Sequence, residues 1–353
     1  MKGLALVIIV LLVLAGIAGS TLYSRVDEAY RGYSGDAREF EIPAGAGTKA
    51  IGQRLVDAGI VRDTVTYRVA LWLSGDARRL KAGEYLFDHP MTAREVLGKI
   101  ARGEVDLVNI TFREGLAIAE MAAIFEAQGL GSALSFRDAA GTRSLVADID
   151  PVARDLEGYL FPETYAVSRH AAASTLVRAM VDRFNHVVTP ALREAAAARG
   201  LSMRQLVTLG SIIEKETGSA EERPVVAAVY ANRLKINMGL QSDPTVIYAL
   251  RRAGKFDGNL RKDDLAFDSP YNTYRYRGLP PGPIAAPGRG SLEAAAHPAD
   301  VDYLYFVSRN DGTHAFAHTL DEHNRNVQAF QVQFFRDKRL ADRRREAASV
   351  AGR

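Results

Sequence analysis

The chain has 353 residues, 47% of them hydrophobic and 25% charged, with a net charge of only +3. That length allows two or three domains, and the near-neutral balance leaves no nucleic-acid footprint, so no nucleic-acid partner is expected. Cysteine is absent, which excludes disulfides, thiolate metal sites and a cysteine nucleophile.

From Gly3 to Tyr23 the chain carries no charge. At 1.5 Å per residue this run spans about 30 Å, one bilayer core. Lys2 and the α-amino group favour a cytoplasmic N-terminus and an exported body. Small residues at Ala15-Gly16-Ile17-Ala18-Gly19 would suit a signal-peptide cut, but the run is long for a signal core, so an uncleaved anchor is expected. Ser24 to Arg38 is polar and reads as a linker.

Glu39 to Pro43 reads as a short strand, followed by a helix carrying Ile51, Leu55 and Val56 at helical spacing. A second helix is expected over Asp63 to Ser74, with Trp72 in its core face. A strand is expected at Ala82 to Phe87, then a helix opening on the capping-box pattern Thr92-Ala93-Arg94-Glu95. Val105 to Phe112 alternates like a strand, and Leu116 to Gln128 reads as a helix. Leu156 to Tyr165 is an aromatic stretch punctuated by Gly158 and Pro162 and holding Glu157 and Glu163. Helices are expected over Ala172 to Val187, Pro190 to Ala198, Ser202 through the Glu214 region, and Arg223 to Leu234. From Gln241 to Pro298 the chain turns polar, aromatic and loop-rich, the character of a binding cleft beside a helical scaffold. A hairpin across Asn310-Asp311-Gly312 and a last helix from Asp321 follow. The fold class is α+β with segregated elements.

Gly210-Ser-Ile-Ile-Glu-Lys-Glu-Thr217 places an acid directly after small and apolar residues. A carboxyl in such surroundings holds its proton more tightly and can donate it to a leaving oxygen, as glycosidic cleavage requires. Glu214 and Glu221 would lie about 10 Å apart along a continuous helix, too far for the paired carboxylates of a retaining glycosidase. The spacing suits one carboxyl that acts first as acid and then as base. His314, His318 and His323 show no catalytic-zinc spacing, and neither metal nor cofactor is expected.

Several motifs follow one another in order: Gly210 to Thr217, Glu222-Arg223, Ala231-Asn-Arg-Leu234, Met238 to Tyr248, Ser269-Pro-Tyr-Asn-Thr-Tyr274, Gly278 to Ala285, Pro287-Gly288 and Ser291 to Ala295. Together they resemble the MltG/YceG-like family of endolytic murein transglycosylases. The resemblance implies an anchor (1–23), a linker (24–37), a LysM-like domain (38–106) and a catalytic domain (107–345). It implies cleavage of the β-1,4 bond from N-acetylmuramic acid to N-acetylglucosamine in nascent peptidoglycan, leaving 1,6-anhydro ends and terminating strand growth. It also implies an inner-membrane location, with glycan strands and peptidoglycan synthases as partners. The family's catalytic glutamate falls on Glu214. Around it, Glu157, Glu163, Gln241, Asp243, Tyr271, Asn272, Thr273 and Tyr274 are candidates to bind sugar, with Asn272 also placed to orient Glu214, while Glu216 and the Glu222-Arg223 pair read as structural. Two alternatives stay open: a muramidase that activates water with Glu157 or Glu163, and a non-catalytic glycan-binding scaffold.

Overall fold

The computed structural model describes residues 2–336 and 339. Residues beyond Arg336, apart from Arg339, lie outside the described residues, as does the end of the catalytic domain placed at 345. The chain divides into two compact units, residues 1–109 with 166–169, and residues 110–165 with 170–353.

The first unit opens with helix α1 (Lys2–Val26), whose segment Leu6–Val26 is long and apolar enough to cross a membrane. The helix continues past Tyr23, and the stretch expected to be a linker is tied down. Val26 is fully buried, Tyr30 pairs with Met91, and the Tyr33 hydroxyl donates to the carbonyl of Phe87 at 2.8 Å. Strand β1 (Arg38–Ile42), helices α2 (Thr48–Asp57) and α3 (Thr64–Ser74), strand β2 (Gly83–Phe87) and helix α4 (Ala93–Arg102) follow. The two strands are antiparallel, pairing Arg38 with Phe87 and Ile42 with Gly83. Their inward residues Phe40, Ile42, Tyr85 and Phe87 meet Leu55, Tyr67, Leu97 and Ile100 in one core. Asp63 caps α3, and Thr92 with Glu95 forms the full capping box of α4, satisfying backbone donors that the first helical turn leaves free. Trp72 departs from expectation. It is 80% exposed, at the rim of a cavity of about 560 Å3 lined by α2 and α3, because Thr66, Tyr67 and Ala70 already form the buried face of α3.

Strands β3 (Leu107–Thr111) and β4 (Thr164–Ser168) form a two-stranded sheet, and the division between the units falls within them. The second unit comprises α5 (Ile118–Ala127), α6 (Ala133–Ala140), α7 (Ala173–Val187), α8 (Pro190–Ala198), α9 (Met203–Glu216), α10 (Arg223–Lys235), α11 (Asp243–Arg252) and α12 (Arg289–Ala296). The hairpin β5 (Tyr305–Ser308) and β6 (His314–Ala317) and helix α13 (Leu320–Val327) close it. The α6 helix and β4 were not expected from sequence.

Helix α9 is the spine. Ser202 and Gln205 cap its start, and every residue from Leu206 to Ile213 is buried. Gly210 lets α12 come close, since a Cβ there would stand 3.2 Å from Leu292 Cδ2. Gly158 is required twice over: its φ is +83°, and a Cβ would collide with Pro283 and Val207.

Two acids are built into this core. Glu216 accepts from Tyr230 Oη at 2.6 Å and Ser242 Oγ at 2.5 Å, and burial raises its pKa. Glu157 accepts from Ile118 N at 3.1 Å, the first amide of α5, and from Tyr248 Oη at 3.2 Å. Burial pushes its pKa up to about 8 from 4.5. The unfolded chain releases this proton near 4.5, so between those values the folded state binds more protons and stability falls as pH rises. Denaturant unfolding followed by circular dichroism should therefore show stability declining between about pH 5 and pH 8. In Glu157→Gln the decline should be shallower, by up to about 1.4 kcal/mol per pH unit; equal slopes in the two proteins would refute the assignment.

Candidate active site

Glu214 sits in the last turn of α9, one turn after the Gly210 contact, and its side chain is only 7% exposed. Its Oε2 accepts two hydrogen bonds from the start of α12, from Gly288 N at 2.9 Å and Ser291 Oγ at 2.7 Å. Those donors are the N-cap amide and the third helical residue, so the carboxyl lies where a helix N-terminus presents unsatisfied N–H groups. Its Oε1 faces Arg223, whose Nη2 is 3.6 Å away.

Arg223 is the first residue of α10, and its side chain is 16% exposed. The same Nη2 lies 3.6 Å from Oε2 of Glu114, in the segment that leads into α5. The buried Nε of Arg223 has no hydrogen-bond partner among the described residues. Glu114 packs so tightly on Gly288 that a Cβ at position 288 would overlap its carboxylate. Burial raises the pKa of Glu114, the negative charge of Glu214 raises it further, and Arg223 opposes both. One guanidinium thus stands between two carboxylates, with glycine and serine donors holding one of them in place.

Lys215 donates from Nζ to the carbonyl of Gly115 at 3.0 Å, joining α9 to the segment that carries Glu114. Gly115 and Lys215 lie at the edge of a cavity of about 710 Å3, within the usual range of ligand clefts. Glu157, Tyr248, Arg251, Arg252 and Phe256 also line it, mixing aromatic faces with cations. Tyr271 packs at a tilt of 55° against Tyr248 of this wall, the ring centres 5.0 Å apart.

The other candidates lie elsewhere. Glu163 is ion-paired with Arg183. Asn272 is a loop staple, donating to the carbonyls of Leu265 and Phe267 and accepting from the Tyr274 amide; Ser291 and Gly288, not Asn272, orient Glu214. The Thr273 hydroxyl accepts from Ser242 N at 2.9 Å and meets Thr245 Oγ1. Gln241, Asp243 and Tyr274 line a separate cavity of about 410 Å3 with Glu216 and His323, and the Tyr274 hydroxyl donates to Asp243 at 2.6 Å. Glu222 and Arg223 are not paired with each other. Glu222 takes the His314 amide and Nδ1 instead, at 2.8 and 2.7 Å. His318 pairs with Asp302, and His323 stacks on Tyr305.

Sequence reading missed Glu114 as a member of the site. Its one local signal is an acid followed by a glycine between a strand and a helix, Arg113-Glu114-Gly115, a common turn arrangement. Gly288, Ser291 and Arg223 stood inside quoted motifs, but only the folded chain reveals what they touch.

A family model described as the YceG-like family matches residues 40–329. An endolytic murein transglycosylase of Bacillus subtilis is 32% identical over 326 residues, covering 88% of this chain and 89% of that protein. One from Streptococcus pneumoniae is 28% identical, over 81% of this chain and 57% of its own length. The 2.6 Å crystal structure of a yceG-like protein from Listeria monocytogenes aligns with a TM-score of 0.56 at 30% identity, over 83% of this chain and 99% of that one. With most of both units inside the matched segment, the chain belongs to the YceG-like family.

Proposed function

We propose that the chain is an endolytic peptidoglycan lytic transglycosylase with Glu214 as its acid. The observation that supports this reading is the hold on Glu214: Oε2 is fixed by Gly288 and Ser291, which leaves Oε1, without a hydrogen bond and 3.6 Å from Arg223, as the oxygen to carry a proton toward substrate. Glu214 in its acid form protonates the glycosidic oxygen, the bond to C1 of the muramoyl residue breaks, and that residue's own 6-hydroxyl closes on C1. Because the attacking oxygen is already tethered, its effective concentration far exceeds that of a diffusing nucleophile, and no water is consumed. The names of the relatives support the substrate class.

The glycan strand would occupy the cavity beside Lys215, where Tyr248, Tyr271 and Phe256 offer ring faces and Arg251 and Arg252 offer donors. Water-activating roles for Glu163 and Glu157 lack support, since Arg183 occupies the first and burial with two donors holds the second. The βααβ order of the first unit fits a LysM-like domain, with exposed Trp72 and its neighbouring cavity as the place to meet glycan. Helix α1 would anchor the protein in the inner membrane, N-terminus inside, so that it trims strands as synthases make them and ends their growth.

Digestion of peptide-bearing glycan strands, read by mass spectrometry, should give 1,6-anhydro ends. Reducing ends alone would overturn the reading in favour of hydrolysis. Glu214→Gln should lower kcat by about 10³-fold or more. Ser291→Ala, which removes one of the two orienting donors, should lower kcat by roughly tenfold with KM little changed. Membrane fractionation of cells should find the full chain in the pellet and a chain lacking residues 2–26 in the soluble fraction; recovery of both in the soluble fraction would exclude the anchor.

A further inference from the structure

We propose that the cavity of about 710 Å3 beside Lys215 holds the peptide stem of the strand, with Arg252 and Arg137 receiving its carboxylates. The inference rests on the transglycosylase reading above and names the part of the substrate that this cleft selects.

The cleft carries more positive charge than its own acids answer. Arg137 of α6, Lys215 of α9, and Arg251 and Arg252 of α11 line it. Facing them are Glu120 of α5 and, from the segment before β4, Asp155 and Glu157. Four cations thus meet three acids. Burial pushes the pKa of Glu157 up to about 8, so near neutral pH that acid is mostly protonated and answers less. Arg154 adds a further cation near Tyr271.

The pairing within the cleft is uneven. Glu120 takes the Arg251 guanidinium at 2.6 Å, and the Lys215 ammonium donates to the carbonyl of Gly115 at 3.0 Å. Asp155 accepts from Glu157 N at 3.1 Å, while Glu157 is occupied by Ile118 N and Tyr248 Oη. Arg252 has no carboxylate at ion-pair distance among the described residues. Its one side-chain hydrogen bond runs from Nη1 to Tyr248 Oη at 3.3 Å. The exposed Arg137 side chain has neither a hydrogen bond nor an ion pair among the described residues. A guanidinium in this state suits a carboxylate, which its planar fork can hold through two parallel N–H donors. The rings of the wall carry cations too. Arg252 lies over Tyr248 and Tyr271 at 5.7 and 5.6 Å, and Arg251 over Phe256 at 5.3 Å. Contact with two rings and one hydroxyl leaves the Arg252 guanidinium little freedom to turn.

The N-acetylated sugars of a peptidoglycan strand are neutral, and its negative charge resides in the carboxylates of the stem. Sugars alone would call for hydroxyl and amide partners, and a surplus of guanidinium fits the peptide better. Position agrees with charge. Lys215 directly follows Glu214, so the cleft opens beside the acid. The stem leaves the same muramoyl ring whose C1 is attacked, which puts the peptide within one sugar of the cut bond.

The test uses the full chain in detergent micelles, with kcat and KM measured on native peptide-bearing strands, on strands whose stem carboxylates are converted to amides, and on strands stripped of peptide by an amidase. The wild type should favour native strands over either altered kind by about tenfold or more in kcat/KM, chiefly through KM. Combining Arg137→Gln with Arg252→Gln should cut that preference roughly fivefold, and Arg252→Lys, which keeps the charge but not the fork, should fall between. Equal kcat/KM on native strands and on either altered kind overturns the proposal, as does a native preference that survives undiminished in the double variant. The wild-type comparison needs no substitution, so it decides the matter if circular dichroism shows the double variant misfolded. A wild type that yields only reducing ends would instead remove the transglycosylase reading, whichever strands it prefers.

Discussion

The approach of α9 to α12 is the constraint on which the site depends. The absence of a side chain at Gly210 eases this approach, since a Cβ there would press on Leu292 at 3.2 Å. The contact is reinforced from within by Ser211, whose hydroxyl donates to Thr208 O at 2.7 Å and accepts from Ile284 N at 3.1 Å, tying the long loop to the spine. One turn further along α9, the same approach brings Glu214 onto the start of α12, where an amide and a hydroxyl meet one of its oxygens. A wider separation of these helices would leave a nearly buried carboxyl without its donors, a costly arrangement in a low-dielectric setting.

The second unit places three kinds of carboxyl within one framework. Glu157 is buried at the wall of the larger cleft and fastens the start of α5 to Tyr248 on α11. Glu216, on the wall of the smaller cavity, serves as an acceptor for hydroxyls from α10 and the loop before α11. Glu114 remains half-open beside a cation. Identical chemistry thus yields a neutral core acid, an internal acceptor and a solvent-reachable carboxylate, and the difference lies in desolvation and in which donors are within reach.

Much of the framework was legible in the sequence because it rests on local rules. The Thr92 to Glu95 box, the apolar face of α2 and the acid following Gly210 to Ile213 are patterns of spacing within a turn or two, and the structure places a capped helix, a buried face and a held carboxyl there. What could not be read depends on contacts between distant segments. Glu114 and Glu214 are a hundred positions apart, and nothing near Glu114 announces its partner. Asn272 looked like a sugar-reading amide because its neighbours are aromatic, yet its amide is spent on bracing its own loop. Trp72 looked like core because tryptophan is large and apolar, but α3 already had a buried face. Residue type suggests what a side chain can do, and only its surroundings decide whether that capacity is free.

Helix ends ordinarily fray, and Glu214 lies two residues from the end of α9. Here the final residue, Glu216, is clasped by Tyr230 and Ser242 on the side of the helix turned away from Glu214, so the last turn cannot unwind without breaking both bonds. The carboxyl is therefore held in one direction, with little rotational freedom left to it. Its direction is governed from behind, by an acid on the wall of a different cavity.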